Sequence, residues 1–156
     1  MSIIISVLSG FALAFFAPVL YRFGRGATGW IVAMLPLCLT AYFSSHIPQV
    51  SAGVNITESF RWIPSLGINL SFYLDGLSLI FALLISSIGA LVLIYAGRYL
   101  SGHPHLGRFY LYILMFMASM LGMVLADNLI TLFVFWELTS LSSYFLIGFE
   151  HDRHES

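Results

Sequence analysis

Lysine is absent from this 156-residue chain, and charged residues of all kinds make up only 8% of it. Soluble domains carry about 25% charged residues, which help to coat the folded core with polar surface. The composition therefore excludes a soluble globular fold. The formal net charge of -1 provides no basic surface for a polyanion, so we expect no nucleic-acid partner. The single cysteine, Cys38, excludes a disulfide within the chain.

Hydrophobic residues make up 60% of the chain and are gathered into five long runs. A helix needs about 20 apolar residues to cross the roughly 30 Å hydrocarbon core of a bilayer, and these runs do not alternate as barrel strands do. We predict spans at about Ile3 to Tyr21, Gly29 to Ile47, Asp75 to Leu100, Phe109 to Ala126 and Asn128 to Phe149. The predicted fold is an all-α integral membrane protein, with the helices in residues 1–149 and a polar C-terminal stub at 150–156.

The arginines predict how these helices are oriented. With five spans, one set of loops contains Arg22, Arg25, Arg98, Arg108 and Arg153, and the other set contains only Arg61. Loops rich in basic residues stay in the cytoplasm, so we expect the N-terminus outside and the C-terminus inside a bacterial cell (inner) membrane. The first run lacks the basic region of a signal peptide, and we expect it to remain as a helix.

The outer loop between the second and third spans has its own pattern. Apolar and polar residues alternate from Phe60 to Ile63 and from Ile68 to Leu74, and Pro64 to Gly67 between them have turn chemistry. This pattern predicts a short β-hairpin on the outer face. We expect the hairpin to cover helix ends or to contact a partner subunit.

Glu137 is the candidate for chemistry because it lies near the middle of the fifth span. A charge at that depth costs about 2.5 to 3.5 kcal/mol on insertion scales, and such residues usually face a protein interior and mark an ion or proton path. The alternative is a neutral, hydrogen-bonded glutamate that joins helices. Ser140 and Tyr144 follow on the same face. The helix is polar on both sides, so we expect it to pack between others; the alternative is that its hydroxyls bond their own backbone carbonyls. The polar residues on the other side are Thr139, Ser142 and Ser143.

Two further acids and one missing base complete the set of candidates. Asp75 and Asp127 stand where the third and fifth spans begin, so each suits either a helix N-cap or an acid at the outer mouth of an ion path. No basic residue lies deep in any predicted span. Glu137 therefore stays neutral, or its cationic partner comes from another polypeptide or from sequence beyond Ser156.

Cofactor and metal sites are not expected. The chain has no CxxC motif, no phosphate-binding glycine loop and no nucleophile elbow. His151, Asp152, His154 and Glu155 form the one cluster with metal-binding side chains, and such flexible surface clusters are usually solvated.

At these residues the sequence resembles a known family. The run FWELTSLSSY at 135–144, followed by Leu146-Ile147-Gly148, is similar to the fifth-helix signature of the antiporter-like subunits of respiratory complex I and of Mrp-type multisubunit cation/proton antiporters. The longer resemblance is to the large A subunit of the Mrp type, and it runs from about Gly29 to Ser156. It includes three further stretches, Trp62 to Asn69, Asp75 to Ile85 and Tyr112 to Met117.

The resemblance implies roles for all three acids. Glu137 matches the glutamate of the family's glutamate–lysine pair, whose charge switching is thought to drive proton movement, and Asp75 and Asp127 match acidic positions. The family's subunits have many more helices, and their essential lysines follow the point where this chain ends. We therefore expect an N-terminal part of such a subunit.

Three functions follow as hypotheses. The first is part of a Na+/H+ antiporter, with other membrane subunits and the lipid bilayer as partners and with Glu137 as the proton acceptor. The second is the same unit in a redox-driven pump, either complex I or a membrane-bound hydrogenase; the stretch Trp62 to Asn69 favours the first. The third is a scaffold subunit that transports nothing. None of the three makes this chain an enzyme by itself, unless it belongs to a complex I-type oxidoreductase.

Overall fold

The computed structural model describes residues 3–24, 28–63, 65, 67–99 and 106–148. Its elements are α1 (Ile3–Gly24), α2 (Thr28–Ser44), α3 (Ile47–Ser51), β1 (Ile56–Ile63), β2 (Ile68–Leu74), α4 (Gly76–Tyr99), α5 (Leu106–Leu125) and α6 (Leu129–Ile147). Five of the helical segments are long and apolar enough to cross a membrane, which confirms the predicted spans. The polar stub at 150–156 lies outside the described residues.

The helices pack through small residues. Helix α5 contacts α1, α4 and α6, and α2 packs on α4. A Cβ on Gly10 would lie 2.7 Å from the Cβ of Ala118, so α1 and α5 approach too closely there for a larger side chain. Between α2 and α4, Thr40 donates a 2.9 Å hydrogen bond to the buried hydroxyl of Ser86. Small side chains thus allow these helix pairs to approach closely at positions that have no room for larger side chains.

Strands β1 and β2 form the predicted antiparallel hairpin. Gly67 in the connection has φ +66°, a left-handed conformation that glycine adopts without steric cost. Pairing begins at Ile56, opposite Leu74, four residues earlier than the alternation indicated. Phe72 and Leu74 are buried against the helices, so the hairpin does cover helix ends.

Apart from Glu137, the charged residues that the structure describes lie at the two ends of the bundle. The hairpin end holds the hairpin, Asp75 and Asp127, because α1, α4 and α6 begin there. The opposite end holds Arg22, Arg98 and Arg108, at the end of α1, the end of α4 and the start of α5. This segregation agrees with the predicted loops. The assignment of the opposite end to the cytoplasm stays a prediction from the positive-inside rule.

Candidate functional site

Glu137 is the ninth residue of α6, about 12 Å along the helix from Leu129 at 1.5 Å per residue. Since α6 has 19 residues, the carboxylate lies near the middle of the span, as predicted. Among the described residues, none of the arginines occupies a comparable depth, because each lies at a helix end or in the hairpin. The identity of a cationic partner for Glu137 stays a prediction.

Helix α6 presents Glu137 away from the bundle. Its buried residues, Thr131, Phe135 and Ser142, share one face, which packs against α5 and β2. At 100° per residue, Glu137 points to the opposite side of the helix from Phe135. Glu137 is exposed, and Tyr144 on the same face is 72% exposed.

The expectation that α6 packs between other helices is therefore wrong for the described part of the chain. Helix α5 and strand β2 cover one side of α6, and the side bearing Glu137 is uncovered in the part of the chain that the structure describes. Sequence patterning missed this because polar residues occur on both faces of α6, and the pattern does not show which of them is buried against other elements and which is exposed.

Two hydroxyls of α6 bond their own helix. Thr139 Oγ1 donates to the carbonyl of Phe135 at 2.8 Å, and Ser142 Oγ donates to that of Leu138 at 2.8 Å. These are the local bonds that serine and threonine commonly make in helices. Thr139 and Ser142 therefore bond their own backbone carbonyls, which was the alternative to packing between helices. Ser140 and Tyr144 lie on the exposed face with Glu137.

The start of α6 is attached to the hairpin. Asn128 is the N-cap, and its Oδ1 accepts a 2.7 Å hydrogen bond from the backbone N–H of Thr131. The backbone N–H of Asp127 donates to the carbonyl of Ser71 at 2.9 Å, and the N–H of Ser71 donates to Thr131 Oγ1 at 3.0 Å. The prediction of Asp127 as the N-cap is therefore wrong, because the cap of α6 is the next residue, Asn128. The Asp127 side chain is exposed at the hairpin end.

Asp75 does cap α4. Its Oδ1 accepts the backbone N–H of Ser78 at 2.9 Å, while the N–H of Asp75 donates to Ser78 Oγ at 2.8 Å. This reciprocal pair has the geometry of a capping box. The hydrogen bonds to the carboxylate, first from the Ser78 backbone N–H and then from its hydroxyl, lower the pKa of Asp75.

Glu58 is a structural residue that sequence reasoning missed. Its carboxylate accepts the backbone N–H groups of Ile3 at 2.8 Å and Ile4 at 3.2 Å, at the start of α1. Glu58 lies directly opposite Phe72 in the hairpin, and residues so paired point to the same face of a sheet. Phe72 faces the helices, so Glu58 does too, and this contact has no local signal in the sequence.

Metal-ligating clusters are absent from the described residues: no group of three histidine, cysteine, aspartate or glutamate side chains is close enough to bind an ion. His151, Asp152, His154 and Glu155 lie outside those residues.

Comparison with known proteins identifies relatives of this arrangement. The family model for the N-terminus of chain 5 of NADH-ubiquinone oxidoreductase (complex I) matches residues 62–110. The A subunit of the Na(+)/H(+) antiporter of Alkalihalophilus pseudofirmus is 50% identical over 97% of this chain, and the match covers 19% of that protein. The structure of the Mrp complex from Dietzia sp. DQ12-45-1b matches 94% of this chain and 16% of the aligned chain, with a TM-score of 0.82 and 38% identity.

A second solved structure extends the likeness to respiratory complexes. The membrane-bound sulfane sulfur reductase, an archaeal respiratory membrane complex, matches 91% of this chain and 29% of the aligned chain, with a TM-score of 0.75 and 26% identity. These matches and the five candidate spans support a multi-pass bacterial membrane protein that is similar to the antiporter-like class of subunits.

Within that class, the resemblance to the large A subunit of Mrp-type Na+/H+ antiporters is confirmed in both sequence and fold. The chain spans about a fifth of the length of the curated relatives it matches.

Proposed function

We propose that this chain is part of a multisubunit Na+/H+ antiporter and that Glu137 accepts and releases the transported proton. The observation that carries this proposal is the exposed carboxylate in the middle of α6, in a chain 50% identical to the large subunit of an antiporter. The chain acts here as a transporter subunit rather than as an enzyme. Its partners are the other subunits of the complex, and its substrates are H+ and a monovalent cation, Na+.

The uncovered face of α6 is where the remaining transport path attaches. Glu137 borders an open depression lined by Leu129, Ile130, Leu132, Phe133 and Trp136. A carboxylate facing hydrocarbon is costly, so the face must be covered by protein or by a hydrated cavity. The chain has no lysine, and the arginines that the structure describes lie away from mid-span. We therefore assign the cationic partner of Glu137 to a part of the complex outside this chain.

We propose a direction of exchange together with the predicted orientation. With the hairpin end outside, inward proton movement drives Na+ export. Asp75 and Asp127 both lie at that end, and we propose Asp127 as the better candidate for an acid at the outer mouth. The Asp75 carboxylate is occupied by the cap of α4, whereas Asp127 is exposed, and within the described residues its carboxylate makes no hydrogen bond.

The redox-driven pump is the second candidate. The match of residues 62–110 to the complex I family and the likeness to an archaeal respiratory complex support it. In that setting Glu137 has the same role, while the energy source lies in other subunits. The sequence is 50% identical to an antiporter A subunit and 26% identical to the matched chain of the sulfane sulfur reductase, and this difference favours the antiporter.

Replacing Glu137 with glutamine in the complete complex tests the proposal. Inverted vesicles report Na+-dependent proton release by recovery of a pH-sensitive dye, and native gels report the amount of complex. We expect Glu137→Gln to abolish exchange in complexes assembled in normal amounts. Glu58→Gln is the matched control, since it changes the same atoms at the hairpin end and should retain exchange per complex. Exchange retained in Glu137→Gln would show a scaffold role instead.

A further inference from the structure

The ring of Phe135 rests directly on Gly122 of α5. A Cβ placed on Gly122 would lie 2.5 Å from Cγ of Phe135 and closer still to two other ring carbons, well under the 3.0 Å that real side chains respect. Phe135 is 4% exposed, and its ring centroid lies 5.7 Å from that of Phe72 in β2 and 6.2 Å from that of Phe11 in α1. Four elements thus meet at one aromatic side chain.

This contact determines which way α6 faces. A helix turns by 100° per residue, so the side chains of Phe135 and Glu137, two positions apart, point in directions about 200° apart around the helix axis. While Phe135 is held between α5, β2 and α1, Glu137 must point away from them. Protein interiors are close-packed, so a displacement of Phe135 is transmitted through the backbone of α6 to Glu137.

We propose that Gly122 and Phe135 form a positioning joint that sets the rotation and depth of α6, and thereby the place of the Glu137 carboxylate in the transport path. This inference rests on the proposed function of Glu137 and deepens it. Neither residue touches the transported ions; both act through the backbone of α6. The glycine is required because its missing side chain is the space that the aromatic ring fills.

Gly89 in α4 offers a matched control for a methyl group added within the bundle. A Cβ there would lie 2.7 Å from Sδ of Met117. Methionine is unbranched with several rotatable bonds, so this side chain can move aside. At Gly122 the obstacle is a rigid ring held by two other aromatic residues, and only a shift of α6 relieves it.

The test is a double-mutant cycle in the complete complex, with exchange per complex measured in inverted vesicles and complex quantity measured on native gels. We expect Gly122→Ala to lower exchange by about tenfold or more, since displacements of about 1 Å can cost that much or more. Gly89→Ala should stay within about twofold of wild type. In a Phe135→Ala background, adding Gly122→Ala should change exchange by no more than about twofold, because the ring is gone.

A positioning role also predicts a change in pH dependence. Displacing Glu137 should move the pH of half-maximal exchange in Gly122→Ala and leave it unchanged in Gly89→Ala, whereas a general packing defect lowers the rate at every pH alike. The joint would be overturned, and the proposed function would not, if Gly122→Ala and Gly89→Ala lowered exchange per complex equally. The same holds if Gly122→Ala lowered exchange in the Phe135→Ala background as much as it does in wild type. Exchange retained in Glu137→Gln would overturn the proposed function and the joint together.

Discussion

Replacing Glu58 with alanine removes the side chain that joins the hairpin to the first turn of α1. The first backbone N–H groups of a helix have no partner within the helix. Two of those of α1, on Ile3 and Ile4, donate to the two Glu58 oxygens at 2.8 and 3.2 Å. The carboxylate therefore acts as a cap supplied by a residue more than 50 positions away in the sequence.

The cost follows from two contributions. Loss of an N-cap side chain costs about 1 kcal/mol, and loss of a negative charge at a helix N-terminus costs about 0.3 to 1 kcal/mol. Because Glu58 is only half-buried, we take a total of about 1.5 kcal/mol for Glu58→Ala, which is about a tenfold change in the opening equilibrium of this turn. Glu58→Gln keeps one acceptor oxygen and should lose about half as much.

Amide hydrogen exchange of the first turn of α1, in lipid nanodiscs, measures this effect directly. We expect exchange about tenfold faster in Glu58→Ala and an intermediate rate in Glu58→Gln. Thr57→Ala is the matched control, because Thr57 is the exposed neighbour in β1 and successive strand side chains point to opposite faces. Exchange at Ile3 and Ile4 within about twofold of wild type in Glu58→Ala would refute the reasoning.

Three further predictions concern the other polar groups. The folded-state pKa of Asp75 is lowered, so its ionised form stabilises the fold above its unfolded pKa and this contribution is lost as the pH falls through the folded pKa. The stability difference between wild type and Asp75→Asn in thermal denaturation should therefore shrink from about pH 6 to about pH 3, and a difference independent of pH would contradict this. Asn128→Ala should destabilise the chain by about 1 kcal/mol through loss of the α6 cap, whereas Asp127→Ala should stay within about 0.5 kcal/mol; equal losses in the same assay would show a shared cap. The Tyr110 hydroxyl is buried without a hydrogen-bond partner in the part of the chain that the structure describes, so Tyr110→Phe should leave thermal stability unchanged or raise it by about 1 kcal/mol, and a comparable loss would reveal a partner.

The helices and the hairpin were predictable because their signals are local. Five apolar runs of membrane-spanning length stand apart in the sequence, and tertiary contacts shift their ends by only a few residues. The hairpin follows from alternation on either side of Pro64 to Gly67. The first residue of α6 was not predictable from local signals, because Asp127 and Asn128 are both good capping residues. The hydrogen bond from the Asp127 backbone to Ser71 selects Asn128 as the cap.

The contacts around Glu137 were not predictable, since they join residues far apart in the chain. Nothing local indicates that Phe135 rests on Gly122, or that Glu58 reaches the start of α1. Hydrophobicity is also uninformative about sidedness in α6, because lipid and protein interior are both apolar and exposed residues such as Phe133 and Trp136 resemble buried ones.

The sequence by itself determined that the described part of this chain has five helices long and apolar enough to cross a membrane, that a hairpin lies between the second and third of them, and that one carboxylate stands near the middle of the fifth. Those properties depend on composition and order within short segments. Tertiary structure alone decided that Glu137 faces away from α1 to α5, because the rotation of a helix is set by which side chains fit its neighbours. In α6 that fit is the Phe135 ring against a glycine, and the carboxylate two residues later takes the opposite side.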